Sequence, residues 1–228
     1  MPGRAARVTN LVPRVLSIGH GGASALAPAN TLGSFALAAD LGVDVIELDV
    51  RLFRGRLLLA HSILDAVRPG CLELDEALRW VAGELDGGLE LIVDLKTPGT
   101  EQAVIDALTR HRLLTRAVLA SQCPPILARA RATSPRARLG ISVAGRLSRR
   151  VQRWGQWRDE VLAELRAGRY SALMAHRRLV DESLVEGVRA AGAQLHAWTV
   201  HTHEDAVRLA RLGVDGIVAA DPRVLSAV

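Results

Sequence analysis

Nine short apolar runs, at 15–19, 45–50, 56–60, 90–95, 117–121, 138–142, 171–175, 195–200 and 215–219, alternate with amphipathic stretches near 73–84, 101–112, 124–133, 181–191 and 203–212. A further helix starts at a cap formed by Asn30-Thr31, runs to about Leu41 and ends at Gly42, while Gly192 and Gly213 close the last two. Strands that alternate with helices of this length predict βα units and a parallel sheet, because parallel neighbours need a long crossover. Nine runs are one too many for a barrel of eight βα units. The run at 56–60, reached through the short link Arg54-Gly55, therefore reads as the return strand of a hairpin outside the barrel. At 228 residues and 49% hydrophobic content the chain suits one large core, read as a single domain over 1–228 with its core at about 15–222. With two phenylalanines, one tyrosine and four tryptophans, that core must be built from Ala, Leu and Val.

Several of these runs carry polar residues that a buried strand should not have. Glu47 and Asp49 lie two positions apart in Asp-Val-Ile-Glu-Leu-Asp-Val (44–50) and so share one face of their strand. Ionised carboxylates on a core-facing strand cost several kcal/mol each unless a positive charge meets them, which points to a divalent metal or a buried cation. The alternative is an edge strand with both residues on its solvated face. His20, His61 and the pair Asp94 and Lys96 each end a short hydrophobic run, the end at which a barrel of parallel strands collects catalytic groups. Lys96 is the single lysine among 29 basic residues. A lysine retained amid arginines, two residues beyond a carboxylate, suggests a task for a compact ammonium that a guanidinium fork would do poorly.

The formal net charge of +5 favours anionic partners, but the arginines are spread along the chain and no recognition motif supports nucleic acid. Cys71 and Cys123 are isolated, with no metal-binding spacing and no disulfide framework, as is usual in a reducing compartment. No apolar segment has the pattern of a secretory signal or the length of a membrane span, so a soluble, cytoplasmic protein is expected. In the least regular stretch, 143–170, Trp154 and Trp157 accompany Arg146, Arg149, Arg150, Arg153 and Arg158. This reads either as a peripheral contact with anionic membrane through 146–158 or as a solvated barrel helix with both tryptophans packed inward.

The segments Gly19-His20-Gly21-Gly22-Ala23, Pro28-Ala29-Asn30-Thr31-Leu32, Ile46-Glu47-Leu48-Asp49-Val50, Ala60-His61, Val93-Asp94-Leu95-Lys96, Ala197-Trp198-Thr199-Val200 and Gly213-Val214-Asp215-Gly216-Ile217-Val218 occur in that order. By them the chain resembles the glycerophosphodiester phosphodiesterases from about Ile18 to Pro222. The resemblance implies an α/β fold, a (β/α)8 TIM barrel of the PLC-like phosphodiesterase type, which hydrolyses a glycerophosphodiester or a lysophospholipid. It implies that His20 and His61 are the acid–base pair, that Glu47, Asp49 and Asp94 bind the metal, and that Lys96 and Trp198 meet the substrate. An all-oxygen ligand set selects a hard cation, Mg2+ or Ca2+. His176, at the end of its strand, is in reach of the same mouth and joins the substrate-binding candidates, whereas His111 and His203 read as surface residues. His196 shares a face with Trp198, in a direction the sequence leaves open. Asp215 and Asp221 read as turn and cap residues.

The chain also departs from that pattern. Gly21 stands where Arg is common, Ala29 where Glu is usual, Asp94 for a Glu, Ser62 for an Asp and His201 for an Asn. Both histidines and the metal carboxylates are kept, so the expectation is a retuned site. There is no large insertion after His61, and the short 62–72 loop should leave the mouth open. Two other readings stand beside the hydrolase: a non-catalytic barrel that binds metal and a phosphate ligand or a membrane, and a lyase-type relative that stops at a cyclic phosphate.

Overall fold

The computed structural model describes residues 14–84, 88–143, 151–226 and 228. In chain order its elements are β1 (Leu16–His20), α1 (Leu32–Asp40), β2 (Val45–Phe53), β3 (Arg56–Leu59), α2 (Ile63–Ala66), α3 (Leu74–Glu84), β4 (Glu90–Leu95) and α4 (Glu101–Arg110). There follow β5 (Ala117–Ser121), α5 (Pro124–Thr133), β6 (Arg138–Val143), α6 (Val151–Arg166), β7 (Ala172–His176), α7 (Glu182–Ala190), β8 (Gln194–Val200), α8 (His203–Leu212) and β9 (Gly216–Ala219). Eight of the strands pair in parallel, β4 through β9 in sequence order, and β1 closes the ring by pairing with both β9 and β2. The fold is a (β/α)8 TIM barrel. β3 stands outside the ring, antiparallel on the outer half of β2, so the 56–60 run is the return arm of a hairpin as expected.

Period-two alternation divides each barrel strand between two cores. One set of positions, which includes Ile46, Leu48, Leu91, Val93, Leu119, Leu173 and Ile217, packs outward against the helices. The other set, Ile18, Val45, Ile92, Val118, Ala120, Ala172, Met174 and Val218, with Leu16 and Trp198 partly buried beside it, fills the barrel. Register puts Ile18 beside Val45 and Val218, and Met174 beside His196 and Ser142, so the inner side chains stack in layers. Small residues make room for the large ones. A Cβ at Gly140 would lie 2.5 Å from Cε of Met174, and one at Gly216 would lie 2.9 Å from Cδ2 of His196. The direction left open for the 196/198 pair is therefore inward for both.

His196 is fully buried in this interior, and neither of its ring nitrogens has a hydrogen-bond partner among the described residues. Burial first, and then the charge of Arg138, lowers its pKa from 6.5 to about 4. The unfolded chain thus binds a proton that the folded chain refuses between about pH 6.5 and pH 4. Stability is retained above that window and lost as pH falls through it, by roughly 3 kcal/mol in all. Denaturant unfolding at pH 7 and pH 4.5 should show the wild type losing ground to His196→Leu as the solution is acidified. A gap that stays constant between the two pH values would remove His196 from the acid response.

The helices fall close to their predicted positions. The helix read as one alternative for the stretch 143–170 is present, since α6 runs unbroken over 151–166 and is the longest helix described. Trp154 and Trp157 stack on one another, with centroids 5.5 Å apart, and pack partly buried against the core. Arg146, Arg149 and Arg150, on which the membrane reading of 146–158 leaned, lie outside the described residues. His111, read as a surface residue, is instead mostly buried, with Nε2 2.9 Å from Asp75 Oδ1. Asp221 caps a 3-10 turn over Pro222–Leu225, and Asp215 accepts the backbone N–H of Leu195, in keeping with cap and turn roles. No described helix is long and apolar enough to cross a membrane.

Candidate active site

All the polar insertions singled out in the strands meet at the C-terminal mouth of the barrel. Glu47 and Asp49 lie on the inner face of β2, which excludes the solvated-edge alternative: β2 is paired on both sides, with His20 of β1 beside Glu47 and Asp94 of β4 beside Asp49. Their side chains are 10% and 5% exposed. His61 arrives by another route. The hairpin turns the chain back along β2, the N–H of Ala60 bonds the carbonyl of Asp49 at 3.0 Å, and the next residue hangs its imidazole over the Asp49 carboxylate. Arg51 steadies that position by donating from Nη2 to the His61 carbonyl at 2.9 Å. Ser62 then starts α2 with a reciprocal cap, its side chain and backbone both bonded to Asp65.

One oxygen from each of Glu47, Asp49 and Asp94 can be chosen so that all three lie within 4.8 Å of one another. Lys96 Nζ sits 2.8 Å from Asp49 Oδ1 and 2.5 Å from Asp94 Oδ2. The backbone N–H of Gly21 donates to Glu47 at 2.9 Å, and Asn30 donates from its amide to Asp49 at 3.0 Å while accepting the Asp49 N–H at 3.1 Å. An imidazole stands on either flank: His20 Nε2 is 4.0 Å from Glu47, and His61 Nδ1 is 3.4 Å from Asp49.

These neighbours divide the charge unevenly. Burial and the adjacent Asp49 push the Glu47 carboxyl well above the usual carboxylate range. Burial also works to raise Asp49, but hydrogen bonds from His61, Lys96 and Asn30 hold it well below that range. Asp94 is raised by burial against the pull of Lys96. Lys96 is held above its ordinary value because Asp94, Asp49 and Glu47 outweigh its burial. His20 is lowered by burial, and His61 is raised by its bond to Asp49. Three carboxylates around one ammonium leave a buried excess of negative charge, and the donors are all hard oxygens. The residues therefore fit a divalent cation of the Mg2+ or Ca2+ kind.

The cavity over this cluster is lined by both histidines, Glu47, Asp94 and Lys96, with Ile92, Ala120, Met174, Trp198 and Val218 as its apolar wall. Trp198 is fixed by donating from its indole N–H to the Met174 carbonyl at 3.0 Å. His176 lies outside that lining. It packs edge-on against Trp198, with centroids 5.8 Å apart, and accepts the Arg178 N–H at 3.3 Å. Two lining residues, Gln122 and Ser142, were not singled out from the sequence, although both sit at the ends of barrel strands. Asn30 was read as part of a helix cap and of the Pro28–Leu32 segment, with no site role. The cap is Thr31, which accepts from Ser34, and Asn30, at φ 60°, turns across to hold Asp49.

The two departures nearest the histidine are neighbours in space, since a Cβ built at Gly21 would lie 3.1 Å from the Ala29 Cβ. Both are small and both line the groove beside His20, so neither places a side chain across it. That groove runs from His20 and His61 past Ala29, Leu59 and Cys71 to Arg68.

The sequence matches the model of the Glycerophosphoryl diester phosphodiesterase family over residues 20–64 and 98–224. The first block holds His20, Glu47, Asp49 and His61, whereas Asp94 and Lys96 fall between the blocks. The glycerophosphodiester phosphodiesterase of Caldanaerobacter subterraneus subsp. tengcongensis is 28% identical over 245 residues, which cover 93% of this chain and 96% of that protein. The crystal structure of glycerophosphodiester phosphodiesterase from Agrobacterium tumefaciens superposes with a TM-score of 0.76 at 18% identity, over 94% of this chain and 100% of that one. An Oleispira antarctica phosphodiesterase in complex with the product sn-glycerol-3-phosphate gives a TM-score of 0.72 at 22% identity, over 93% and 95% of the two chains. The same barrel is shared by all three structures.

Proposed function

The chain belongs to the glycerophosphoryl diester phosphodiesterase family, and on that premise we propose that it hydrolyses a glycerophosphodiester to an alcohol and a glycerol phosphate. The observation that carries the proposal is the pair of imidazoles flanking a buried cluster of three carboxylates in one cavity. In this reading His20 and His61 divide the proton work. One takes the proton of the attacking hydroxyl and the other delivers a proton to the departing alkoxide, each contributing roughly 10²–10⁴-fold. Glu47, Asp49 and Asp94 hold a divalent cation, Mg2+ or Ca2+. When bound, such an ion supplies Lewis acidity toward a phosphoryl oxygen. Lys96, pinned between Asp49 and Asp94, places its ammonium where a phosphate would lie, and Trp198 walls the pocket on the far side. Asn30 and the Gly21 N–H keep the carboxylates aimed, so that little rearrangement is needed during reaction.

The test is direct. Purified protein incubated with glycerophosphocholine and Mg2+ or Ca2+ should release choline and glycerol phosphate, followed by phosphorus NMR. A cyclic phosphate that accumulates without opening would assign lyase chemistry instead. Binding of the intact diester with no alcohol released over hours would make the barrel a binder. The groove lined by the small residues Gly21 and Ala29 supports a larger substituent, so lysophosphatidylcholine belongs in the same assay. Strict preference for the small diester would limit the substrate to deacylated glycerophosphodiesters.

A further inference from the structure

Six large apolar side chains are exposed among the described residues, and the three most exposed are crowded into one short segment: Ile63 at 61%, Leu64 at 75% and Val67 at 54%. They belong to α2 and the residue that ends it. The helix is not loose surface, because Ala66 on its inner side packs with Leu58 and Ala60 in a small core that Phe53 and Cys71 complete. Its start is fixed by the reciprocal Ser62–Asp65 cap. A well-anchored turn that shows three branched apolar side chains to water has a solvation cost that folding leaves unrelieved.

The surroundings indicate what relieves it. Residues 51–73, from the outer end of β2 through the hairpin and α2, carry Arg51, Arg54, Arg56 and Arg68 against Asp65 and Glu73, a positive surplus on a chain that is itself positive overall. Arg56 is paired with Glu73, and Arg68 lies 3.4 Å from Asp65 with its side chain largely exposed. Arg54, at the hairpin tip, lies over the Phe53 ring at 5.2 Å. Arg68 directly follows Val67, and Arg54 lies on Phe53, which packs in the same small core as Ala66, so exposed cations border the apolar tip as at the boundary between anionic headgroups and acyl chains. The same segment is one wall of the groove that leads to His20 and His61, through Asp65, Arg68, Pro69 and Gly70.

We propose that α2 is a docking tip for anionic membrane, inserting Ile63, Leu64 and Val67 among the lipids so that the cavity mouth faces the bilayer surface. Docking is separate from the chemistry proposed above and can stand or fall without it. Co-sedimentation of the full chain with vesicles tests it, comparing phosphatidylglycerol–phosphatidylcholine mixtures with phosphatidylcholine alone. The wild type should partition onto the mixed vesicles in preference to the neutral ones. Ile63→Asp combined with Leu64→Glu should weaken that partition by about tenfold or more, since each removes the burial of one branched side chain. The thermal unfolding midpoint should be unchanged in the same variant, which separates a docking defect from a folding one whatever the barrel's activity. Three results would overturn the proposal: no vesicle binding by the wild type, equal binding by the variant, or a wild-type dimer in sedimentation that the variant converts to monomer. The last would assign the face to a second copy of this chain.

Discussion

Alanine in place of His20 or of His61 should lower kcat on a glycerophosphodiester by roughly 10²–10⁴-fold while the fold is kept. The two positions differ in what else they do. The His61 side chain is 67% exposed, so its removal opens no cavity; its main structural effect is to withdraw a partner from Asp49. His20 is more enclosed beside Glu47, and its loss should cost somewhat more stability. Turnover, KM and thermal unfolding measured side by side distinguish the cases. A loss confined to kcat with an unchanged melting temperature marks a proton-transfer role, whereas a rise in KM alone marks substrate binding. The double variant should be little worse than either single one, because two residues that serve one reaction act as a unit. Imidazole added to the solution should restore part of the rate to His61→Ala, whose site opens to solvent. Wild-type turnover in both single variants would end the two-histidine mechanism.

Withdrawal of divalent cations should abolish activity, and addition of Mg2+ or Ca2+ should restore it. The physical ground is the charge imbalance: Glu47, Asp49 and Asp94 converge with Lys96 as the one ammonium in direct contact with them, and the all-oxygen donor set suits a hard ion. Asp49→Asn should cost about 10²-fold or more, since it removes a charge worth several kcal/mol toward the ion. It also sets an amide where Asn30, Lys96 and His61 all approach a carboxylate, so some of those contacts lose their acceptor. A readout independent of turnover is available. An ion that binds only the folded chain raises the melting temperature with its concentration, and Asp49→Asn should blunt that rise. Full activity in excess chelator, with no metal-dependent shift in melting, would remove the cation from the proposal and leave Lys96 as the cluster's counter-charge.

Much of this site was legible before any coordinates. The two-residue spacing of Glu47 and Asp49 guarantees a shared face, and the apolar Ile46 and Leu48 between and beside them take the opposite face against the helices, which leaves the carboxylates the barrel interior. Position at a strand end likewise announced His20, Asp94 and Lys96, because the C-terminal ends of parallel strands converge. Asn30 was hidden by its own chemistry. A small polar residue before a helix reads as a cap, and only the loop after β1 shows that Thr31 takes that task while Asn30 reaches Asp49, nineteen positions away. In sequence the Gly21 and Ala29 departures read together as a retuned site, and what sequence could not give is that the two positions adjoin, a Cβ built at Gly21 lying 3.1 Å from the Ala29 Cβ. His176 could be placed at the mouth from its strand, but its edge-on packing against Trp198 depends on the register of β7 with β8. A barrel helix was one of two readings for the region of 151–166, and its bounds were not legible because a charge-rich surface face weakens apolar periodicity without preventing helix formation.

By itself the sequence determined the alternation of strand and helix, which strand polar residues share a face, and the chemical kinds gathered at the strand ends. Those follow from local periodicities that every residue along an element shares. Which carboxylate each histidine meets, which polar side chains aim the cluster, and where apolar surface is left bare were decided only when the barrel closed. Each of these depends on a hairpin, a loop or a strand register that joins distant residues within a few ångströms. No short window of sequence carries the distance across such a junction.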